Sequence, residues 1–195
     1  MTGGDPRTSR TGAVPGAGVF GMGLFLASLG VLFAAAIVGY LVVRQKATQW
    51  PPPGMPRLPA GLGLATAVLV TASVTVHGAL RAIRRDQITV AARLLGATLV
   101  LVSAFFGVQI WNWWALISLH VTAASNLYAF TFFMLTGLHA AHVVGGIGWL
   151  SVVWTWARLG RYGSGYHPGI VYTAMYVHFL DAVWIVLYAV MVIAA

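Results

Sequence analysis

The chain has 195 residues, of which 59% are hydrophobic and only 7% are charged, and its mean hydropathy is +0.86. A water-soluble domain could not bury that much apolar surface, so the sequence predicts a polytopic membrane protein. The absence of cysteine excludes disulfides, thiolate metal sites and iron–sulfur clusters. The formal charge of +8 does not indicate nucleic-acid binding, because the eleven lysines and arginines lie in the N-terminal tail and in the connections between apolar runs.

Continuous apolar runs favour transmembrane helices over barrel strands, which would alternate apolar and polar residues. Residues 1–16 are polar and rich in glycine, and we interpret them as a mobile cytoplasmic tail that precedes a single transmembrane domain at 17–195. A proline-rich connection follows the first apolar run and is expected to lie outside the membrane, because prolines lack amide donors. Five helices are predicted, at about residues 19–43, 61–82, 90–111, 125–157 and 170–194.

Basic residues are distributed unequally between the two ends of these helices. Eight of the eleven lie in the tail and in the second and fourth connections, and three lie on the opposite side. The positive-inside rule therefore predicts a cytoplasmic N-terminus and, after five spans, a C-terminus outside. The expected fold class is an all-α transmembrane bundle of five helices with that orientation.

The fourth helix carries the first of two polar groups that interrupt apolar runs: Thr136, His139 and His142. At 100° per residue the two histidines fall on one side of the helix. A stripe of small residues falls well over 100° away, and it is predicted to let a neighbouring helix approach closely. The members of this small-residue stripe are Gly137, Ala141, Gly145 and Gly148.

The fifth helix carries the second polar group, His178 and Asp181, which share a face because three positions separate them. Adjacent antiparallel helices would bring the two polar groups to a similar depth. An ionised aspartate at mid-membrane costs roughly 2.5–3.5 kcal/mol on insertion scales, so a polar partner or a wet cavity is expected. We therefore predict a hydrogen-bonded His–Asp network inside the bundle, made of Thr136, His139, His142, His178 and Asp181.

Two other roles for these residues stay open. Imidazole can bind haem iron or another metal, but two histidines at i and i+3 without a nearby acid or thiolate favour packing or hydrogen bonding over ligation. His178 and Asp181 both titrate and could relay protons, although no continuing chain of polar groups is evident. The remaining histidines, His77, His120 and His167, are interpreted as interfacial or loop residues.

Several segments, in order, resemble subunit III of the haem–copper respiratory oxidases in its short five-helix form. The resemblance runs from Gly21 onward and is carried by GMGLFLAS, YLVVR, WPPPGMPRLP, ASVTVHGALR, FTFFMLTGLHAAHVVGG and YVHFLDAVWIVLY. The family pattern TGxHxxHVxxG is matched by Thr136, Gly137, His139, His142 and Gly146, and the pattern HFxDxxW by His178, Phe179, Asp181 and Trp184.

The resemblance implies a non-catalytic subunit of a terminal oxidase, which couples oxygen reduction to proton pumping. In the family the haems and coppers belong to subunits I and II, while subunit III packs beside subunit I, binds phospholipid in a cleft and supports sustained turnover and proton uptake. For this chain it implies a multi-pass protein of the cell membrane with bound phospholipid and no haem or metal of its own. Its partners would be subunits I and II, a small subunit IV and membrane lipids.

Longer family members have two more N-terminal helices that form the other wall of the lipid cleft, so a partner or lipid is expected to complete that wall here. Three positions that carry acids in the family hold other residues: Leu29 in the first helix, Asn112 after the third and Val171 near the start of the last. A mechanism that needs the buried first-helix carboxylate cannot operate unchanged. These substitutions therefore favour a structural or lipid-binding role over a role in proton uptake.

Three further functions remain open. An accessory subunit of nitric oxide reductase, from the same superfamily, would co-purify with that enzyme. A stand-alone proton or small-solute transporter would show uptake in liposomes. A small cytochrome b using His139 or His142 would show a haem absorption band.

Overall fold

The computed structural model describes residues 16–56 and 59–193, so the predicted tail lies outside the described residues except for Gly16. Five helices occupy these ranges, and each is long and apolar enough to cross a membrane. This confirms the predicted all-α architecture of five spanning helices. Their bounds are α1 (Ala17–Lys46), α2 (Gly61–Arg84), α3 (Ile88–Ser118), α4 (Leu127–Arg158) and α5 (Pro168–Ile193).

The helix that differs most from its predicted bounds is α3, which was expected to end at Trp111 but continues to Ser118. The buried positions of α3 continue from Gln109 into this extra segment at Asn112 and Leu116. The same face of the helix therefore stays packed against the bundle past the aromatic residues that were taken as its end.

The helices α2, α3, α4 and α5 form a closed ring in which each packs against the next and α5 returns to α2. The remaining helix, α1, lies outside this ring, and among the described helices it packs against α4 and α5. It buries only Phe33 and Tyr40, so most of its surface faces away from the chain. The core of the molecule therefore lies between the four ring helices.

The proline-rich connection after α1 packs back onto the bundle. The Trp50 ring lies edge-on to Tyr40 of α1 and to Tyr128 of α4, with centroid distances of 5.6 and 5.0 Å. Its indole N–H also donates to the Tyr40 hydroxyl at 3.3 Å. At the start of α4, the Asn126 side chain accepts a hydrogen bond from the Ala129 amide, which satisfies an otherwise unpaired helix donor.

Two connections at the basic end of the bundle are joined directly. The Asp86 carboxylate, in the turn between α2 and α3, accepts a hydrogen bond from the Ser164 amide in the connection between α4 and α5, at 3.1 Å. Arg158 and Arg161 lie over the rings of Trp154 and Trp156, at 5.0 and 5.8 Å from their centroids. Arginine and tryptophan in contact are a common arrangement at membrane interfaces.

The close contact between α4 and α5 is made at Gly146. A methyl group on this buried glycine would lie 2.9 Å from the Tyr176 ring. By contrast, a methyl group on three members of the small-residue stripe would meet no atom within 4 Å, and the fourth member, Ala141, is exposed. The stripe thus makes no close contact with another described helix, and its packing against a partner stays a prediction.

We expect Gly146→Ala to destabilise the protein by about 1–3 kcal/mol, because the added methyl group overlaps the Tyr176 ring in a packed contact. The measurement is thermal unfolding of the detergent-solubilised protein. Gly148→Ala is the matched control two residues away, and it should leave the melting temperature unchanged or slightly raised because alanine is the better helix former. Equal melting temperatures for the two variants would contradict the assigned contact.

Candidate functional site

One side chain from each helix of the ring meets the others at the centre of the bundle: Thr66, Phe105, His139 and Trp184, which we call the central cluster. The Trp184 indole N–H donates to the Thr66 hydroxyl at 2.9 Å. The Trp184 ring lies edge-on to Phe105, with centroids 4.9 Å apart, and against His139 at 5.1 Å. Phe105 and His139 are also edge-on, at 5.7 Å. The centre of the bundle is therefore mostly aromatic.

His139 contributes to this cluster by packing its ring, without a hydrogen bond. It is 0% exposed, and neither ring nitrogen has a hydrogen-bond partner. A fourth aromatic residue, Phe33 of α1, lies 6.1 Å from it between ring centroids. Nothing polar in the described chain compensates a charge on this imidazole, which makes the neutral ring the form that suits the site.

Thr136 and His142, one turn before and one turn after His139, connect α4 to different helices. The Thr136 hydroxyl accepts a hydrogen bond from the Trp113 indole of α3 at 3.0 Å and donates to the Phe132 carbonyl at 2.7 Å. The His142 imidazole forms its hydrogen bond within its own helix, with Nδ1 2.7 Å from the Leu138 carbonyl oxygen, and its ring lies 5.1 Å from that of Phe33 of α1. The His142 backbone carbonyl accepts from the Tyr176 hydroxyl of α5 at 3.0 Å.

His178 and Asp181 lie on another side of α5, facing α2. With Ser73, His77 and Arg81 they line a groove of about 580 Å³, which we call the polar groove. His178 Nδ1 lies 2.5 Å from the Ser73 hydroxyl, and the rings of His77 and His178 are 5.8 Å apart. Asp181 shares this lining with Ser73 and His178, is 6% exposed and has no hydrogen-bond partner for Oδ1.

The structure thus divides the five residues of the predicted network between two places. Thr136, His139 and His142 face α1, α3 and the centre of the ring, whereas His178 and Asp181 face α2. The Trp184 indole N–H, at the centre of the ring, donates its hydrogen bond to Thr66 and to neither of these groups. No hydrogen bond within the described ranges joins the groups, and a continuous network, which would require bridging water, stays a prediction.

Three neighbours of the predicted site residues are not evident from the sequence as part of either polar group: Thr66, Ser73 and His77. The Ser73, His77 and Arg81 side chains follow one another at intervals of four residues, so they lie along one face of α2. This four-residue spacing is the feature of the sequence from which a shared polar face on α2 could have been predicted. It gives His178 and Asp181 the neighbouring polar groups that the sequence analysis did not identify.

The three positions at which the resemblance implies acids have different surroundings. Leu29 is half-buried on α1, and Val171 is half-buried at the start of α5. Asn112 is buried in α3, where a methyl group on Gly61 would overlap its Oδ1, and its Nδ2 has no partner. In the described ranges, no three His, Cys, Asp or Glu side chains are grouped closely enough to hold a metal ion.

Comparisons with known proteins confirm the resemblance that the sequence segments indicated. The model of the family "Cytochrome c oxidase subunit III" matches residues 5–195. The chain is 33% identical over 172 residues to cytochrome c oxidase subunit 3 of Synechocystis sp., an alignment that covers 87% of this chain and 72% of the relative. It is 29% identical over 176 residues to the Thermostichus vulcanus protein of the same name, covering 90% of this chain and 86% of that one. This chain therefore belongs to the cytochrome c oxidase subunit III family.

Proposed function

We propose that this chain is a structural subunit of cytochrome c oxidase that packs against catalytic subunit I in the cell membrane and helps the enzyme sustain turnover. Membership of the family makes it a multi-pass membrane subunit without a catalytic centre of its own. The observation that carries the proposal is the setting of His139. This histidine of the family motif is enclosed by Phe33, Phe105 and Trp184 without a hydrogen-bond partner, so it supports packing of the bundle.

The outer surface around α1 supports a lipid-binding role. A groove of about 430 Å³ runs between α1, α4 and α5. Its walls include Phe25, Trp149 and Tyr176, and Gly145 of the small-residue stripe leaves space at its base. An apolar, aromatic groove on the membrane-facing side suits an acyl chain, and we assign the expected phospholipid to it.

The proposed orientation places the basic end of the bundle in the cytoplasm, with the C-terminus outside. The bond between Asp86 and Ser164 brings the second and fourth connections together at one end of the molecule. Basic residues at this end include Arg84 and Arg158, at the last positions of α2 and α4. Their concentration there is the asymmetry that the positive-inside rule uses.

Affinity purification of the tagged chain in mild detergent tests the function. We expect haem–copper subunits I and II to be recovered with it, and no haem absorption band from the chain alone. A complex that lacks the chain should begin turnover near the normal rate and lose activity faster. Recovery of nitric oxide reductase, or of no haem–copper subunit, would count against the proposal.

His139→Phe tests whether the histidine acts by packing. We expect assembly, haem absorbance and turnover to be retained, since a buried ring without hydrogen bonds is replaced by another ring, and thermal stability to fall because phenylalanine is larger and the site is enclosed. Thr66→Val is the comparison, because it leaves the Trp184 N–H unpaired. It should lower the free energy of unfolding by roughly 0.6–1.7 kcal/mol, the range measured for hydrogen bonds within membranes. An assembled His139→Phe oxidase that has lost activity would show a chemical role for the imidazole.

Leu29→Glu restores a carboxylate where the family carries one. Because we assign a structural role to this chain, we expect oxygen consumption and proton pumping of the assembled oxidase to match those of Leu29→Gln, an uncharged control of similar size. The readouts are the oxygen electrode and the number of protons released per electron in vesicles. A higher pumping ratio for the glutamate variant alone would instead assign this position to proton uptake.

A further inference from the structure

A cleft at the basic end of the bundle lies between the start of α3 and the end of α4, and we call it the α3–α4 cleft. We propose that it binds the phosphate of an acidic phospholipid, one whose headgroup carries a net negative charge. The site is separate from the groove between α1, α4 and α5, with which it shares no lining residue. It does not depend on which complex the chain belongs to.

The α3–α4 cleft lies at the depth of the lipid headgroups. It has a volume of about 460 Å³, and its lining on α3 extends from Ile88, the first residue of the helix, to Gly96. The 31 residues of α3 make it about 46 Å long, whereas the hydrocarbon core is about 30 Å thick. About 8 Å of the helix therefore lies beyond the core at each end, and Arg93 lies about 8 Å from the start.

The charge in this cleft is entirely positive. Arg93 and Arg158 both line it, and none of its described lining residues is acidic. Of the acids in the described ranges, Asp86 binds the Ser164 amide and Asp181 lies in the middle of α5, so these residues of a second copy offer no uncommitted carboxylate at this depth. Two guanidinium groups that share a cleft repel each other, and an anion between them removes that repulsion. Arginine binds phosphate through parallel N–H bonds.

Trp154 forms the floor of the cleft and positions one of the two arginines. Its ring lies against Gly96, where an added methyl group would be 2.8 Å from the indole nitrogen. Among the lining residues, Gly96 is the farthest from the start of α3 and Trp154 the farthest from the end of α4, so their contact closes the cleft toward the membrane interior. The Arg158 guanidinium lies over the same ring, 5.0 Å from its centroid. Stacking holds the guanidinium and leaves the N–H groups at its edge available to an anion.

Three other occupants fit less well. A transmembrane helix needs a seat that continues along both helices, but this lining stops at Gly96 and Trp154. A zwitterionic headgroup brings a cation, for which the described lining has no acid, and Arg158 already occupies the face of Trp154. A free phosphate would match the charge alone. A lipid also covers Val100, which is 67% exposed and lies on the same face of α3 as Arg93, seven residues deeper.

Photo-cross-linking in the native membrane identifies the occupant. Benzoylphenylalanine replaces Val100 in the full chain, and mass spectrometry identifies the molecule that it captures. We expect lipid in which acidic phospholipids are enriched about fivefold over their share of the membrane, and no enrichment when Arg93→Gln and Arg158→Gln are combined. Arg84→Gln is the matched control, because Arg84 is exposed at the same end of the bundle but does not line the cleft. Capture of a polypeptide, of a second copy, or of lipid in bulk proportions would overturn the proposal.

A titration of the purified protein distinguishes a lipid headgroup from free phosphate. The tagged full chain, with the subunits that co-purify with it, receives phosphatidylglycerol, phosphatidylcholine with the same acyl chains, or inorganic phosphate, and native mass spectrometry counts the bound molecules. We expect a phosphatidylglycerol adduct that Arg93→Gln and Arg158→Gln each weaken about fivefold, the effect of one basic residue near a membrane surface.

Both arginines are exposed, so their replacement should leave the melting temperature unchanged and the loss of binding should not reflect unfolding. Inorganic phosphate at the same concentration should neither bind nor displace the lipid. Equal binding of the two lipids, equal binding by the arginine variants, or displacement by phosphate would contradict an acidic-phospholipid site. Because the readout is lipid binding, it stands apart from the recovery of oxidase subunits that tests the proposed function.

Discussion

The Trp184 indole is the contact on which the four-helix ring depends. Its N–H is bound by Thr66 on α2, its ring meets Phe105 on α3 edge-on, and its face lies against His139 on α4. Lipid tails are as apolar as the helices, so association in a membrane relies on packing and interhelical hydrogen bonds. One side chain of α5 thus combines both kinds of contact, and it reaches every other helix of the ring.

The family motif on α4 gains a physical meaning from these contacts. Each of its polar positions lies at a joint with a neighbouring helix: Thr136 binds the Trp113 indole, His139 completes the central cluster and the His142 carbonyl binds Tyr176. Gly146 leaves space for the ring of that same tyrosine. The motif is therefore a docking surface for α3 and α5, although its histidines resemble metal ligands in the sequence alone.

Hydropathy was sufficient to predict the number of helices, because twenty apolar residues have few alternatives to spanning a bilayer. Which neighbouring helix each face meets was harder to predict. Helical spacing shows that His178 and Asp181 lie together, but it does not show that the neighbour they meet is α2, which is distant in sequence. The end of α3 was missed for a related reason, since the burial of Asn112 and Leu116 depends on helices distant in sequence.

The position of α1 has a consequence for the order in which the protein assembles. Helices enter the membrane in the order of synthesis, and those near the N-terminus are available first. Yet the described helices that α1 packs against are α4 and α5, and the Phe33 ring that it buries lies against Phe179 and the histidines of α4. The earliest of the described helices to be inserted therefore waits in the bilayer until α4 has been made, and it gains its contact with α5 only when the last has been made.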